Sequence, residues 1–213
     1  MDRTSFIHQC TELMSPPLVP EIKLHLAHEA IPIWQRTEEE LGEMGLPPPF
    51  WAFAWAGGQA LARHILDHPE TVRGKSVLDL AAGSGLVGIA AAKAGAKSVL
   101  GADIDAFSIY AIAINAAAND CQIATTRDNL LASAPPPTDV ILVGDLFYEK
   151  KLAEHCLSFL RKAREQNSEV LIGDPGRSYL PKDQLSQIAT YSVPVSRELE
   201  DSEIKKTAVW KLA

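Results

Sequence analysis

Gly83, Gly85 and Gly88 stand as G-x-G-x-x-G within D-L-A-A-G-S-G-L-V-G, residues 79–88. Glycines at this spacing let a backbone turn sharply and approach a ligand. A helix starting there points free N–H groups at the same ligand. Asp103 follows Gly83 by 20 residues, where a carboxylate can accept hydrogen bonds from both hydroxyls of a ribose. A dinucleotide such as NAD would use these two features too. Asp79 separates the readings. An acid at the tip of the first strand is ill placed for a pyrophosphate and well placed for a cation. S-adenosylmethionine carries two cationic groups, a sulfonium and an ammonium. A tight strand–helix turn with no ligand is the plainer alternative.

Further polar residues fall where other strands should end. Asp128 and Asn129 could hydrogen-bond an adenine amino group, or simply form a polar loop. V-G-D-L-F-Y supplies Gly144, where the chain can pass close to a cofactor, and then Asp145 and Tyr148. An Asp after four apolar residues is costly inside, so Asp145 should face a cleft or a partner; capping the next helix would also explain it. Moving a methyl from a sulfonium to an amine needs an in-line approach in a dry site. A lysine amine titrates near pH ~10.4 and must lose a proton first. Asp145 could orient the arriving ammonium and Tyr148 could direct its lone pair. Strand four lacks N-P-P-Y or D-P-P-Y, a loop suited to a planar amide-like nitrogen, so a cationic acceptor is favoured.

The elements that must position these groups read as alternating strands and helices. Strands are expected at K-S-V-L-D-L, S-V-L-G-A-D, Q-I-A-T-T, D-V-I-L-V-G-D and E-V-L-I-G-D, all in the segment from Lys75 to Asp174. Helices are expected at L-V-G-I-A-A-A-K-A-G, at A-F-S-I-Y-A-I-A-I-N-A-A-A-N, over Leu152 to Arg164, and from P-K-D-Q-L-S-Q-I-A with Pro181 in its first turn. Y-S-V-P-V-S and K-K-T-A-V-W-K-L read as a closing antiparallel pair. Apolar strands alternating with helices imply an α/β fold with a mostly parallel sheet covered on both faces. Residues 1–56 read as an extension with one or two short helices and an aromatic segment, and residues 57–213 as the catalytic domain. Of Phe50, Trp51 and Phe53, two should be core and one could gate a site.

With these motifs in view, the chain resembles the seven-stranded (class I) methyltransferases, whose fingerprint is hydrophobic–D/E-x-G-x-G-x-G; here Ala81 stands at the first glycine. D-L-F-Y at 145–148 resembles the D-x-x-Y motif of lysine methyltransferase family 16. Trp55, with Gly57 and Gly58, resembles that family's Trp before the first core helix, which implies a ring lying against the cofactor. G-D-P-G-R at 173–177, with P-F-W-A-F-A-W-A-G-G-Q-A-L-A-R and R-G-K-S-V-L-D-L, is similar to the electron transfer flavoprotein β-subunit lysine methyltransferases, over roughly residues 18 to 210. The resemblance implies a Rossmann-like seven-stranded sheet, S-adenosylmethionine as cofactor, and the flavoprotein β subunit as acceptor. It also implies Asp174 and Arg177 on the substrate side; alternatively, the arginine ties down its own loop through Asp174.

Composition narrows the classes. The chain has 213 residues, 46% hydrophobic and 22% charged, with a formal net charge of −7, which argues against nucleic acid as the main partner. Cys10, Cys121 and Cys156 form no C-x-x-C pair and no metal-ligand spacing, and an odd count fits a reducing compartment. No apolar run approaches the ~18 residues of a membrane span. The N-terminus resembles neither a signal nor a transit peptide, so a cytoplasmic protein is expected; as the resemblance implies mitochondrial relatives in animals, a bacterial one is expected here. Three rival readings remain: a methyltransferase for a ribosomal protein or small amine, an NAD(P)-dependent oxidoreductase, and a non-catalytic cofactor-binding module.

Overall fold

The computed structural model describes residues 3–27, 48–195 and 202–212. Its frame is a seven-stranded sheet in the order β5-β4-β3-β6-β7-β9-β8. The strands are β3 (Ser76–Leu80), β4 (Ser98–Ala102), β5 (Ala124–Thr126), β6 (Val140–Gly144), β7 (Glu169–Asp174), β8 (Leu185–Pro194) and β9 (Ile204–Leu212). The five from β5 to β7 run parallel, and β9 and β8 close the sheet antiparallel. This is the mostly parallel sheet with a terminal hairpin that the apolar strand runs predict.

Strand residues alternate between two cores. Val77, Val140, Leu142 and Leu171 face the helices α2 (Ala56–Asp67) and α3 (Leu86–Lys93). Leu78, Ile141, Val143 and Ile172 face α5 (Lys150–Glu165). A sheet buried on both faces needs such continuous apolar strands. A third cluster joins α1 (Arg3–Cys10), the aromatic segment and α4 (Ala106–Ala118) through Phe6, Trp51, Phe53 and Phe107. Trp51 stacks on Phe107 at 5.9 Å. Trp51 and Phe53 are thus core and Phe50 is exposed, the division expected for these three rings.

Two expectations need correcting. Among its described residues the N-terminal region contains the short α-helix α1 and also, unexpectedly, a two-stranded hairpin of β1 (Glu12–Met14) and β2 (Leu24–Leu26). Val19, Ile22, Leu24 and Leu26 enter the sheet's main core. The stretch T-E-E-E-L-G-E-M-G lies outside the described residues. Residues 181–189 do not form a helix: one 3-10 turn at Lys182–Gln184 leads into β8. Pairing with β9 satisfies this backbone along its length, and the register shifts between Gln187 and Ala189. That irregularity interrupts the two-residue alternation and hides the strand.

Candidate active site

The chemistry-bearing residues meet where the parallel strands end, beside a cavity of about 670 Å³. Trp55, Asp79, Gly83, Asp103, Asp128, Asn129, Gly144, Asp145, Tyr148 and Arg177 all line it. Gly85 and Asp174 lie outside that lining. The volume falls within the range of small-molecule sites.

Strand β3 enters the glycine turn with Ala81 at φ 55, Gly83 at φ 53 and Gly85 at φ 80. These are left-handed conformations that glycine adopts without penalty. Ala81 therefore holds a glycine's conformation while carrying a methyl group. Gly85 has a second constraint, because a Cβ there would lie 3.2 Å from Ile112 Cγ1. Asp79 Oδ2 accepts from the Gly88 N–H at 2.8 Å, so this acid caps the first turn of α3. Burial pushes the Asp79 carboxyl up to about 8; the Gly88 bond opposes the shift and the Asp103 charge adds to it. Asp103, just past β4, accepts from Gly83 N–H at 2.8 Å and Asp105 N–H at 2.9 Å. Burial raises its carboxyl above the usual range against those bonds.

Asp128 and Asn129 follow β5 and are exposed at the cavity's edge. Asp128 Oδ2 accepts from the Thr126 hydroxyl at 2.8 Å. Trp55 donates its indole N–H to Phe50 O at 2.9 Å and meets the Phe50 ring edge-on at 5.9 Å. Phe50 also lies 5.7 Å from the Tyr148 ring. The three rings form one aromatic wall at the cavity. Burial raises the Tyr148 phenol, and Glu149, Asp103 and Asp145 add to that shift.

Asp145 sits past β6 in a left-handed conformation, φ 60. Its Oδ2 accepts from Gly57 N–H at 2.7 Å, and its Oδ1 meets Arg177 Nε at 2.5 Å. Asp145 does cap a helix, but the one that precedes it in sequence: α2 has no capping bond from its own N-cap, Trp55. The close approach depends on glycines. A Cβ on Gly57 would lie 2.2 Å from Gly173 O, and one on Gly144 would lie 3.1 Å from Gly58 Cα. Gly144 thus admits the start of α2 as well as facing the cavity. Asp174, at the end of β7, accepts through Oδ1 from the N–H groups of Gly176, 2.6 Å away, and Arg177, 2.7 Å away. Asp174 holds the arginine's backbone, while the guanidinium pairs with Asp145. Burial pushes the Asp174 carboxyl up to about 6, and Asp145 adds to the shift.

Some of the machinery escapes the motif reading. Asn115 lies fully buried on α4. It donates to Ser84 O in the glycine turn at 2.8 Å and accepts from His25 N–H on β2 at 2.7 Å. Asn119 binds Lys23 N–H and O. An asparagine inside this mostly apolar helix and another at its C-cap were a visible signal, since buried amides need partners. His155 and Leu152 on α5 also line the cavity, with no sequence pattern to announce them.

Comparison with known proteins bears directly on this arrangement. The chain is 39% identical over 212 residues to the electron transfer flavoprotein beta subunit lysine methyltransferase of Xenopus laevis, covering 97% of this chain and 85% of that protein. It is 36% identical to the human protein of that name, covering 97% and 80%. The chain belongs to this methyltransferase family. Residues 60–146 match the ribosomal protein L11 methyltransferase (PrmA) family. Among solved structures, a ribosomal protein L11 methylase from Lactobacillus delbrueckii subsp. bulgaricus aligns with a TM-score of 0.50 at 22% identity, over 76% of this chain and 81% of that chain. Magnesium protoporphyrin IX methyltransferase from Synechocystis PCC 6803, solved with bound SAM, aligns with a TM-score of 0.52 at 16% identity, over 74% and 80%. These likenesses bear out the seven-stranded methyltransferase fold. Family membership sets aside the oxidoreductase reading and the non-catalytic one. No helix among the described residues is long and apolar enough to cross a membrane.

Proposed function

We propose that this protein transfers methyl groups from S-adenosylmethionine to lysine side chains of the electron transfer flavoprotein β subunit. The observation that carries the reading is likeness across nearly the whole chain to enzymes named for that acceptor. The match to the L11 methyltransferase family ends at residue 146. It spans the glycine turn and Asp103 but stops before Tyr148 and the Asp174–Arg177 loop, so it speaks for the cofactor and not for the acceptor.

The chain's residues fit this cofactor. The left-handed turn at Gly83, held by Asp103, leaves a glycine cradle beside a carboxylate suited to ribose hydroxyls. Gly85 fixes the turn from behind, against Ile112. Asp79 is a buried part of the cavity lining, where burial penalises its charge and a cationic ligand would restore it. Asp128 and Asn129 at the cavity's edge would hold the adenine, and the Trp55 ring and Gly144 would hold the methionine part. The cofactor supplies an electrophilic methyl on a sulfonium. Attack by a neutral lysine amine would form the N–CH3 bond as the S–CH3 bond breaks, with that electron pair returning to sulfur and the amine's extra proton passing to solvent. Asp145 and Tyr148 orient the amine, and the Phe50–Trp55–Tyr148 wall excludes water. Asp174 and Arg177 form the acceptor-side rim. The acceptor is a protein rather than a nucleic acid, in keeping with the net charge of −7. All three cysteines are free, which suits the bacterial cytoplasm, where we place the reaction.

The test is direct. Purified protein is mixed with cofactor and electron transfer flavoprotein, and the β subunit is weighed by intact-mass spectrometry. Stepwise methyl additions that map to lysines are expected. An unmodified β subunit, beside a ribosomal protein or small amine that gains methyls, would move the acceptor to the rival reading.

A further inference from the structure

Asp145 and Asp174 end neighbouring strands, each following a glycine, and Gly144 pairs in register with Gly173. Arg177 serves both: its N–H bonds Asp174 Oδ1 and its guanidinium pairs with Asp145. The two oxygens of Asp174 differ. Oδ1 accepts from two backbone donors, whereas Oδ2 is buried and accepts from none. A buried carboxylate oxygen without a donor is costly and marks a partner that arrives in another state. Both Asp145 oxygens already carry a donor, from Gly57 and Arg177. An acceptor ammonium reaching Asp145 therefore meets a guanidinium of like charge in its place.

We propose that Asp174 is a second seat for Arg177: when an acceptor ammonium reaches Asp145, the guanidinium crosses to Asp174 Oδ2 and leaves Asp145 to hold the acceptor. The proposal rests on the assignment of Asp145 to the acceptor above, and it makes Asp174 a positioning residue. Charge balance supports it. Among the contacts described, one guanidinium faces two carboxylates, and an acceptor ammonium would add a second cation. Placement supports it as well. Asp174 Oδ1 pins the turn, Gly176 at φ 96 shapes it, and the Arg177 side chain lines the cavity at 22% exposure. The bonds to Asp174 thus fix the arginine's backbone and leave its guanidinium at the cavity. Burial together with the Asp145 charge pushes the Asp174 carboxyl up to about 6, a penalty that an arriving guanidinium relieves.

Asp174→Asn keeps the Oδ1 acceptor for the turn and removes the charged seat. Expected are unchanged affinity for S-adenosylmethionine and a KM for the flavoprotein raised roughly tenfold or more, with kcat less affected. In an Arg177→Ala background, adding Asp174→Asn should change KM no further, because no guanidinium needs a seat. Additive effects in the double variant, or loss of cofactor affinity in parallel, would overturn the proposal. A second measurement is independent of the acceptor's identity. Arginine side-chain NMR of the whole protein with S-adenosylhomocysteine follows the Arg177 Nε–H during titration with pentylammonium, a lysine side-chain mimic. The resonance should move in the wild type and stay put in Asp174→Asn. A wild-type resonance unmoved at every amine concentration overturns the second seat. A moving resonance beside an unmethylated flavoprotein keeps the seat and refutes the acceptor instead.

Discussion

Adjacent glycines at the start of α2 should respond oppositely to alanine. At Gly57 an added Cβ would lie 2.2 Å from Gly173 O and 2.9 Å from Asp145 N. Ordinary contact begins near 3.4 Å, so α2 must lift from β7 by about 1 Å, an overpacking that costs about 1–3 kcal/mol. The lift also stretches the 2.7 Å bond from Gly57 N–H to Asp145 Oδ2. A hydrogen bond to a charged acceptor contributes about 1.5–3 kcal/mol. Even after the gain of up to about 1 kcal/mol in helix propensity, Gly57→Ala should therefore lose about 1.5–6 kcal/mol, a large share of the about 5–15 kcal/mol that stabilises an ordinary domain. At Gly58 the nearest atoms to an added Cβ are Leu86 Cδ2 at 3.8 Å and Val87 Cγ2 at 3.9 Å, which is normal packing. Alanine there gains helix propensity, up to about 1 kcal/mol. Urea unfolding of the cofactor-free variants, with the slope checked for constancy, measures both. Equal midpoints for the two would refute the idea that contact between α2 and β7 holds Asp145 in place.

Three further outcomes follow from the strand tips. Asp103→Ala should weaken S-adenosylmethionine by about 1–3 kcal/mol in calorimetry, the scale of charged hydrogen bonds; unchanged affinity would remove the ribose assignment. Asp145→Asn should keep most cofactor affinity and lose most methyl transfer, whereas parallel loss of both would place Asp145 in the cofactor shell. Asp79 has a folded pKa of about 8 against an ordinary 3.8, so between those values the folded state binds the extra proton. The stability of cofactor-free protein should then fall as pH rises across that window. Asp79→Asn should flatten the slope in pH-dependent urea melts, and an identical slope in the variant would show that another group sets it.

The strands and the glycine turn were legible because each is a local pattern. Apolar runs such as V-I-L-V mark strands buried on both faces, and G-x-G-x-x-G marks a turn whose conformation glycine makes easy. The first part of strand β8, up to Thr190, was not legible, because its stability lies in pairing with β9 rather than in its own residues. The β1–β2 hairpin was hidden for the same reason: Asn115 and Asn119, about 90 residues away, hold its backbone. Local propensity cannot report a partner at that distance.

The site shows the same boundary at finer scale. Asp79, Asp103 and Asp145 were found as lone carboxylates at strand tips, and their ligand roles were argued as if each were free. Each instead holds a backbone N–H from another segment: Gly88, Gly83 and Gly57. A carboxylate at a strand tip thus has two tasks in this fold, bracing a loop or helix start and facing the cavity. The glycines beside these acids follow from the first task as much as from the second. Gly57 and Gly173 must both lack a Cβ for α2 to present its N–H to Asp145. That pairing spans three elements, so neither W-A-G-G-Q nor I-G-D-P reveals it alone. The alternative for Arg177, a guanidinium tied to the carboxylate three residues before it, is not what forms: the guanidinium reaches Asp145 past the neighbouring strand. Asp174 spends its Oδ1 on the turn that carries the arginine and, in this state, leaves its Oδ2 without a donor.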